Sequence, residues 1–181
     1  MEEIVLNLTA NIPLKTYNGI KDYITAEMIT YRLKEQSISF PYRVYFYEID
    51  DNDISKMDNQ QKAVMHCIYS RSCDGFVREK HIKSLLSMNY PDWAIPYIVK
   101  VCDEYVVEIL QTVYNKLKDA NTEEIKRFCM DNMNSFCRSY NRMISYWNEF
   151  YRYDCYHYKE YIGRKLFIEY FGASRTMNCT R

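Results

Sequence analysis

Cys73-Asp-Gly-Phe-Val-Arg-Glu79 returns twenty-nine residues later as Cys102-Asp-Glu-Tyr-Val-Val-Glu108. A period of this length marks stacked helical units, each burying its apolar face on a neighbour. The agreement runs beyond the echo, since at the same offset Val64 falls on Trp93, Ile68 on Tyr97 and Arg71 on Lys100. We therefore read two helical hairpins over 58–118. In the first, Asn59 to Ser72 is a helix with Ala63, Val64, Cys67 and Ile68 on one face. Asp74 then caps a second helix by offering its carboxylate to free backbone N–H groups, with Phe76, Val77, Ile82, Leu85 and Leu86 apolar. In the second hairpin Pro91 opens Asp92 to Val101, and Asp103 caps Tyr105 to Leu117.

Working outward, Ile20, Tyr23, Ile24, Met28, Tyr31 and Leu33 predict an amphipathic helix from about Tyr17 to Gln36. Arg43-Val-Tyr-Phe-Tyr-Glu-Ile49, rich in β-branched and aromatic residues, reads as a strand. Its expected partner is Glu3-Ile-Val-Leu-Asn-Leu8, giving a two-stranded ribbon within 1–52. The free edge of 43–49 would also suit a second copy of the chain. Towards the other end, Asn121-Thr-Glu-Glu124 has the form of a helix start. From there Ile125, Cys129, Met133, Phe136, Tyr140, Ile144, Trp147 and Tyr151 step by three or four residues, a stripe of about eight turns. It is one long helix or two joined near Ser139, within an aromatic section at 121–172. Lys159 to Tyr170 makes a last helix, and 173–181 a tail.

Composition fits a single mainly α domain. Hydrophobic residues are 48% and charged residues 27% of 181, with only four Gly and four Pro to break helices. The formal net charge is zero, which argues against a nucleic-acid partner, because such affinity comes from neutralising phosphates. Seven scattered cysteines without CxxC read as reduced thiols, hence a cytoplasmic expectation. The apolar runs are too short for a bilayer span. No glycine-rich phosphate loop is present, and His66-Cys67 near Cys73 does not have the ligand spacing of a structural zinc site. We expect no cofactor and no metal, and assign no catalytic residue.

Asp74-Gly-Phe-Val77-Arg78, followed by Ile82 and Leu85, resembles the second helix of a HEAT-like repeat. The resemblance covers roughly Asp58 to Leu117. It implies a short α-hairpin stack in which the Asp and Arg of neighbouring repeats hydrogen-bond in a ladder. Asp103 and Val106 match in the second unit, but Val107 stands where the Arg belongs. Such arrays usually act as binding scaffolds, and a few short-repeat relatives are enzymes acting on nucleic acid or proteins.

The candidate binding residues fall in two groups. Asp74 and Arg78 sit at the repeat turn, either as cap and inter-helix ion pair or as a polar groove. Arg142, Tyr146, Trp147, Tyr151 and Arg152 belong to a segment with more aromatics than one helical face can bury, among nineteen tyrosines in all. Tyr joins a large apolar body to a polar tip, which suits partner surfaces as well as cores. The leading expectation is a non-enzymatic protein-binding module. The alternative is an enzyme or nucleic-acid-processing protein on a HEAT-like scaffold.

Overall fold

The computed structural model describes residues 27–45 and 47–174. Two strands come first, β1 (Met28–Leu33) and β2 (Gln36–Pro41), antiparallel with Tyr31 opposite Ile38 and Leu33 opposite Gln36. The connecting loop is Lys34-Glu35, with Lys34 in the left-handed region at φ 58°. Strand 28–33 replaces the C-terminal part of the helix expected at 17–36. Its apolar residues alternate, Ile29, Tyr31 and Leu33 against exposed Thr30 and Arg32, a period of two that only a strand can sort to one side. Ile38 and Phe40 continue the inner face on β2. The expected strand Glu3 to Leu8 and the first half of the 17–36 helix lie outside the described residues.

The 43–49 strand is also corrected. Val44 makes a single parallel bridge to Ser72, and the chain then runs without regular structure to Asp50; Phe46 lies outside the described residues. The reason is that side chains claim this backbone first. Arg71 donates from Nε and Nη2 to the Tyr42 carbonyl at 3.2 and 2.6 Å. The Tyr69 hydroxyl donates to the Tyr47 carbonyl and accepts from the Ile49 N–H. These bonds hold the Tyr42 and Tyr47 carbonyls and the Ile49 N–H within the chain.

The helices are α1 (Asp51–Ser55), α2 (Asn59–Tyr69), α3 (Gly75–Leu85), α4 (Ile95–Val101), α5 (Val107–Leu117), α6 (Glu123–Asp131), α7 (Met133–Tyr146) and α8 (Ile162–Glu169). Asp58 begins α2 with a reciprocal capping box to Gln61, and Asp74 caps α3 as expected. α2 and α3 form a hairpin. The second unit diverges: α4 packs on α6, whereas α5 packs on α3 and α8. Asp103 caps nothing, because it is buried in ion pairs, and α5 starts only at Val107.

The apolar stripe at 125–151 is two helices, and the break is at Asn132 rather than near Ser139. The Asn132 carboxamide accepts from the Arg32 N–H at 2.8 Å and donates to the Arg32 carbonyl at 2.7 Å. One side chain thus pairs with β1 as a neighbouring strand residue would. Beneath it the hairpin is riveted by rings: Phe40 stacks on Tyr97 at 4.0 Å and Tyr31 meets Phe128 at 5.4 Å. The core continues through Ile82, Leu85, Ile109, Leu110 and Val113 to Phe136, Leu166 and Phe167. At Gly163 an added Cβ would stand 2.7 Å from the Tyr161 ring and 3.0 Å from Met143, so glycine sets the close approach of α8 to α7. Among the described residues no helix is long and apolar enough to cross a membrane.

Candidate functional site: a cationic mouth beside an aromatic ridge

The two repeat turns meet in a buried ionic cluster. Glu104, 3% exposed, ion-pairs through Oε1 with Arg43 at 2.9 Å and Arg71 at 3.2 Å, and through Oε2 with Arg78 at 2.7 Å. The Arg78 approach is close but out of line for a hydrogen bond, leaving Arg78 Nε and Glu104 Oε2 in Coulombic contact only. Arg78 Nη1 instead donates to the carbonyls of Ser72 and Cys73 at 2.9 and 3.0 Å. Asp103 Oδ2 accepts from Lys100 at 2.6 Å and from the Ser139 hydroxyl at 2.8 Å. Arg142 stands 3.6 Å from the same oxygen.

Tyr42 lies over this cluster. Arg43, Lys100, Arg71 and Arg142 place their cationic centres 4.6, 4.9, 5.7 and 6.0 Å from its ring centroid. Burial pulls the Lys100 and Arg71 pKa values down, and the neighbouring carboxylates, Asp103 for Lys100 and Glu104 for Arg71, oppose that pull. Only the outer members reach solvent: the Arg43 side chain is 16% and the Arg142 side chain 39% exposed.

An aromatic ridge adjoins this mouth. α7 ends in a π turn at Trp147–Tyr151, a geometry that re-aims side chains and recurs at functional positions. Trp147 and Tyr151 point inward as tethers. Trp147 Nε1 donates to the Cys155 carbonyl at 2.9 Å. The Tyr151 hydroxyl donates to the Tyr105 carbonyl and accepts from the Val107 N–H, fixing the start of α5. Tyr146 clusters with Tyr105 and Phe150 at about 6 Å. Phe150, Tyr153 and Tyr156 are 53%, 92% and 74% exposed. An open groove lined by Trp147, Arg152, Tyr156, Tyr158 and Lys159 runs beside them.

The seven candidate residues therefore separate. Asp74 is an exposed cap accepting from the Phe76 N–H at 2.8 Å, and Arg78 is a buried ion-pair member. Arg142 joins the mouth, with Tyr146 beside it. Trp147, Tyr151 and Arg152 belong to the ridge, where Arg152 is held by Asn148 at 3.2 Å. Tyr42, Arg43, Arg71, Lys100, Asp103 and Glu104 went unselected in the sequence. One signal pointed at two of them: the repeat sets Arg71 on Lys100, and both line the same cluster.

A second polar network lies about one turn further along α3. His66 Nδ1 and His81 Nδ1 are 2.8 Å apart, and His81 Nε2 stands 2.7 Å from Glu48, which Lys80 also contacts. Two Nδ1 atoms at this distance share one proton, so with both rings neutral His66 donates to His81 and His81 donates to Glu48. Burial, then repulsion from His81 and Lys80, holds His66 down at about 4 against the ordinary 6.5. The unfolded chain binds that proton first. Stability should be level above pH 6.5 and fall as pH drops from there towards 4. Urea midpoints across this range should show the acid limb, and His66→Gln should shallow it; an unchanged limb would remove His66 as its source. Among the described residues no group of three His, Cys, Asp or Glu side chains is placed to hold a metal ion.

Compared with known family models, curated proteins and solved structures, the chain matches none. The HEAT-like resemblance gains no support from them. The geometry agrees, since the expected Asp–Arg ladder is absent: Arg78 pairs with Glu104, and Asp74 with its own helix.

Proposed function

We propose that this chain is a protein-binding module whose partner docks on the ridge at 146–160, taking an extended segment into the groove beside it. The observation that carries this reading is the exposure of Phe150, Tyr153 and Tyr156 beside a groove whose Trp147 wall is tethered to the Cys155 carbonyl. Large aromatics left in water next to a concavity are the usual anchors of protein interfaces. Arg152 and Lys159 against Glu160 bias the groove towards a segment that brings a carboxylate along with apolar side chains. The enzymatic reading gains no support from the two carboxylates of the buried cluster. Asp103 and Glu104 are 2% and 3% exposed and committed to cations.

The test is a double variant, Tyr153→Ala with Tyr156→Ala, compared with the wild-type chain. Both side chains are exposed, so circular dichroism and the thermal midpoint should be unchanged. Capture of a stoichiometric protein partner from the host should fall at least tenfold, roughly the scale of one or two interface anchors. Equal capture by variant and wild type would reject the ridge as the docking surface.

A further inference from the structure

We propose that the mouth framed by Tyr42, Arg43, Lys100 and Arg142 is a seat for a phosphate-class oxyanion. The inference does not depend on the protein-binding reading. Among the described residues, Arg43, Arg71, Arg78, Lys100 and Arg142 converge on two carboxylates, those of Asp103 and Glu104, leaving three positive charges over within the cluster. Glu27, which is exposed, supplies a further negative field at Arg142, and two charges still remain. Desolvated cations without counter-charges are costly, and the cost is removed by an anion rather than by water alone.

The excess has an outlet. Glu104 ion-pairs with the deep arginines and Asp103 takes Lys100 at 2.6 Å, whereas Arg142 makes only long contacts, 3.6 Å to Asp103 and 3.5 Å to the Tyr42 hydroxyl. Arg142 and Arg43 come from separate elements, α7 and the 42–45 segment, and both reach solvent at the rim. Two guanidinium forks, an ammonium behind them and a phenol hydroxyl form a donor set whose cations outnumber the nearby carboxylates, Glu27 included. Guanidinium groups match phosphate oxygens in paired hydrogen bonds, and a dianion answers the remaining charge better than a monoanion.

The phosphate can be free or carried on a protein side chain. Calorimetry at constant ionic strength, in a chloride background, distinguishes the sources with three probes: inorganic phosphate, a short phosphoserine peptide and the same peptide unphosphorylated. Saturable binding of inorganic phosphate and of the phosphopeptide with similar affinity supports the seat with free phosphate as its ligand. Phosphopeptide binding at least tenfold tighter supports a phosphorylated partner. In either case Arg142→Gln and Arg43→Gln should each weaken binding at least tenfold. Arg127→Gln, an exposed position paired with Glu124 on α6, should bind like wild type. Should Arg43→Gln fail to fold through loss of its Glu104 contact, Arg142→Gln carries the comparison alone. The proposal is overturned if neither phosphate species binds saturably at about 10 mM. It is equally overturned if Arg142→Gln binds as tightly as wild type, or if Arg127→Gln loses binding to the same extent.

Discussion

Glu104→Gln should destabilise the folded chain by about 3–5 kcal/mol, the usual cost of removing one partner from a buried ion-pair network. The substitution keeps the side chain's shape and removes only its charge, so packing cannot account for the loss. Among the described residues Glu104 is the carboxylate that ion-pairs with Arg43, Arg71 and Arg78. Arg71 is 0% and Arg78 3% exposed at the side chain, and neither can turn to water without unmaking its bonds to the Tyr42, Ser72 and Cys73 carbonyls. Urea unfolding at neutral pH measures the effect directly. A loss below about 1 kcal/mol would mean that the arginines find compensation elsewhere, as exposed pairs do. The same measurement on Lys80, whose pairs with Glu48 and Asp51 are at the surface, should give the small value.

Phe40→Ala should cost about 3–5 kcal/mol. Phe40 is fully buried, between Tyr31 at 5.8 Å and Tyr97 at 4.0 Å, and it provides the main contact between β2 and α4. A two-stranded ribbon is not stable by itself in water, so the hairpin depends on this seat. The variant should therefore show both a lower global stability and faster amide exchange at 28–41 than elsewhere. Uniform loss without selective exchange would mean that the hairpin is held chiefly by Asn132 and Tyr31.

The two predictions mark where the sequence was and was not legible. Helix α2 follows from apolar spacing and α3 from apolar spacing and the Asp74 cap; the Asp58 capping box on α2, equally local, adds a signal that the spacing reading did not use. Local chemistry is readable because its partners are adjacent in the chain. Asp103 carries the same local signature as Asp74, yet Lys100, Ser139 and Arg142 gather on its Oδ2 inside the core, and Ser139 lies thirty-six residues away. The hairpin at 28–41 was overlooked because six apolar residues at 20–33 also fit a 3.6-residue period. What decides for strand is the buried seat on Tyr97 and Phe128, far off in sequence. The mouth was missed for the same reason: Tyr42 and Arg43 stand in a segment that reads as strand, and only the fold brings them to Arg142. The ridge was half legible, since Tyr146, Trp147 and Tyr151 were chosen for being aromatic, while the exposed residues proved to be Phe150, Tyr153 and Tyr156.

The pairing of Asn132 with Arg32 has a consequence for how the chain is made. The two residues are 100 positions apart, so a ribosome exposes the β ribbon long before its partner has been translated. At the usual pace of synthesis the interval is roughly 5–20 s; Phe40 is without α4 for about the first half of it, and Tyr31 without α6 for nearly all of it. Non-local closure also slows folding once the chain is complete. The nascent ribbon is thus the part of this molecule that most needs shielding by a holding chaperone, and the stretch where a translational pause after residue 41 would do most harm.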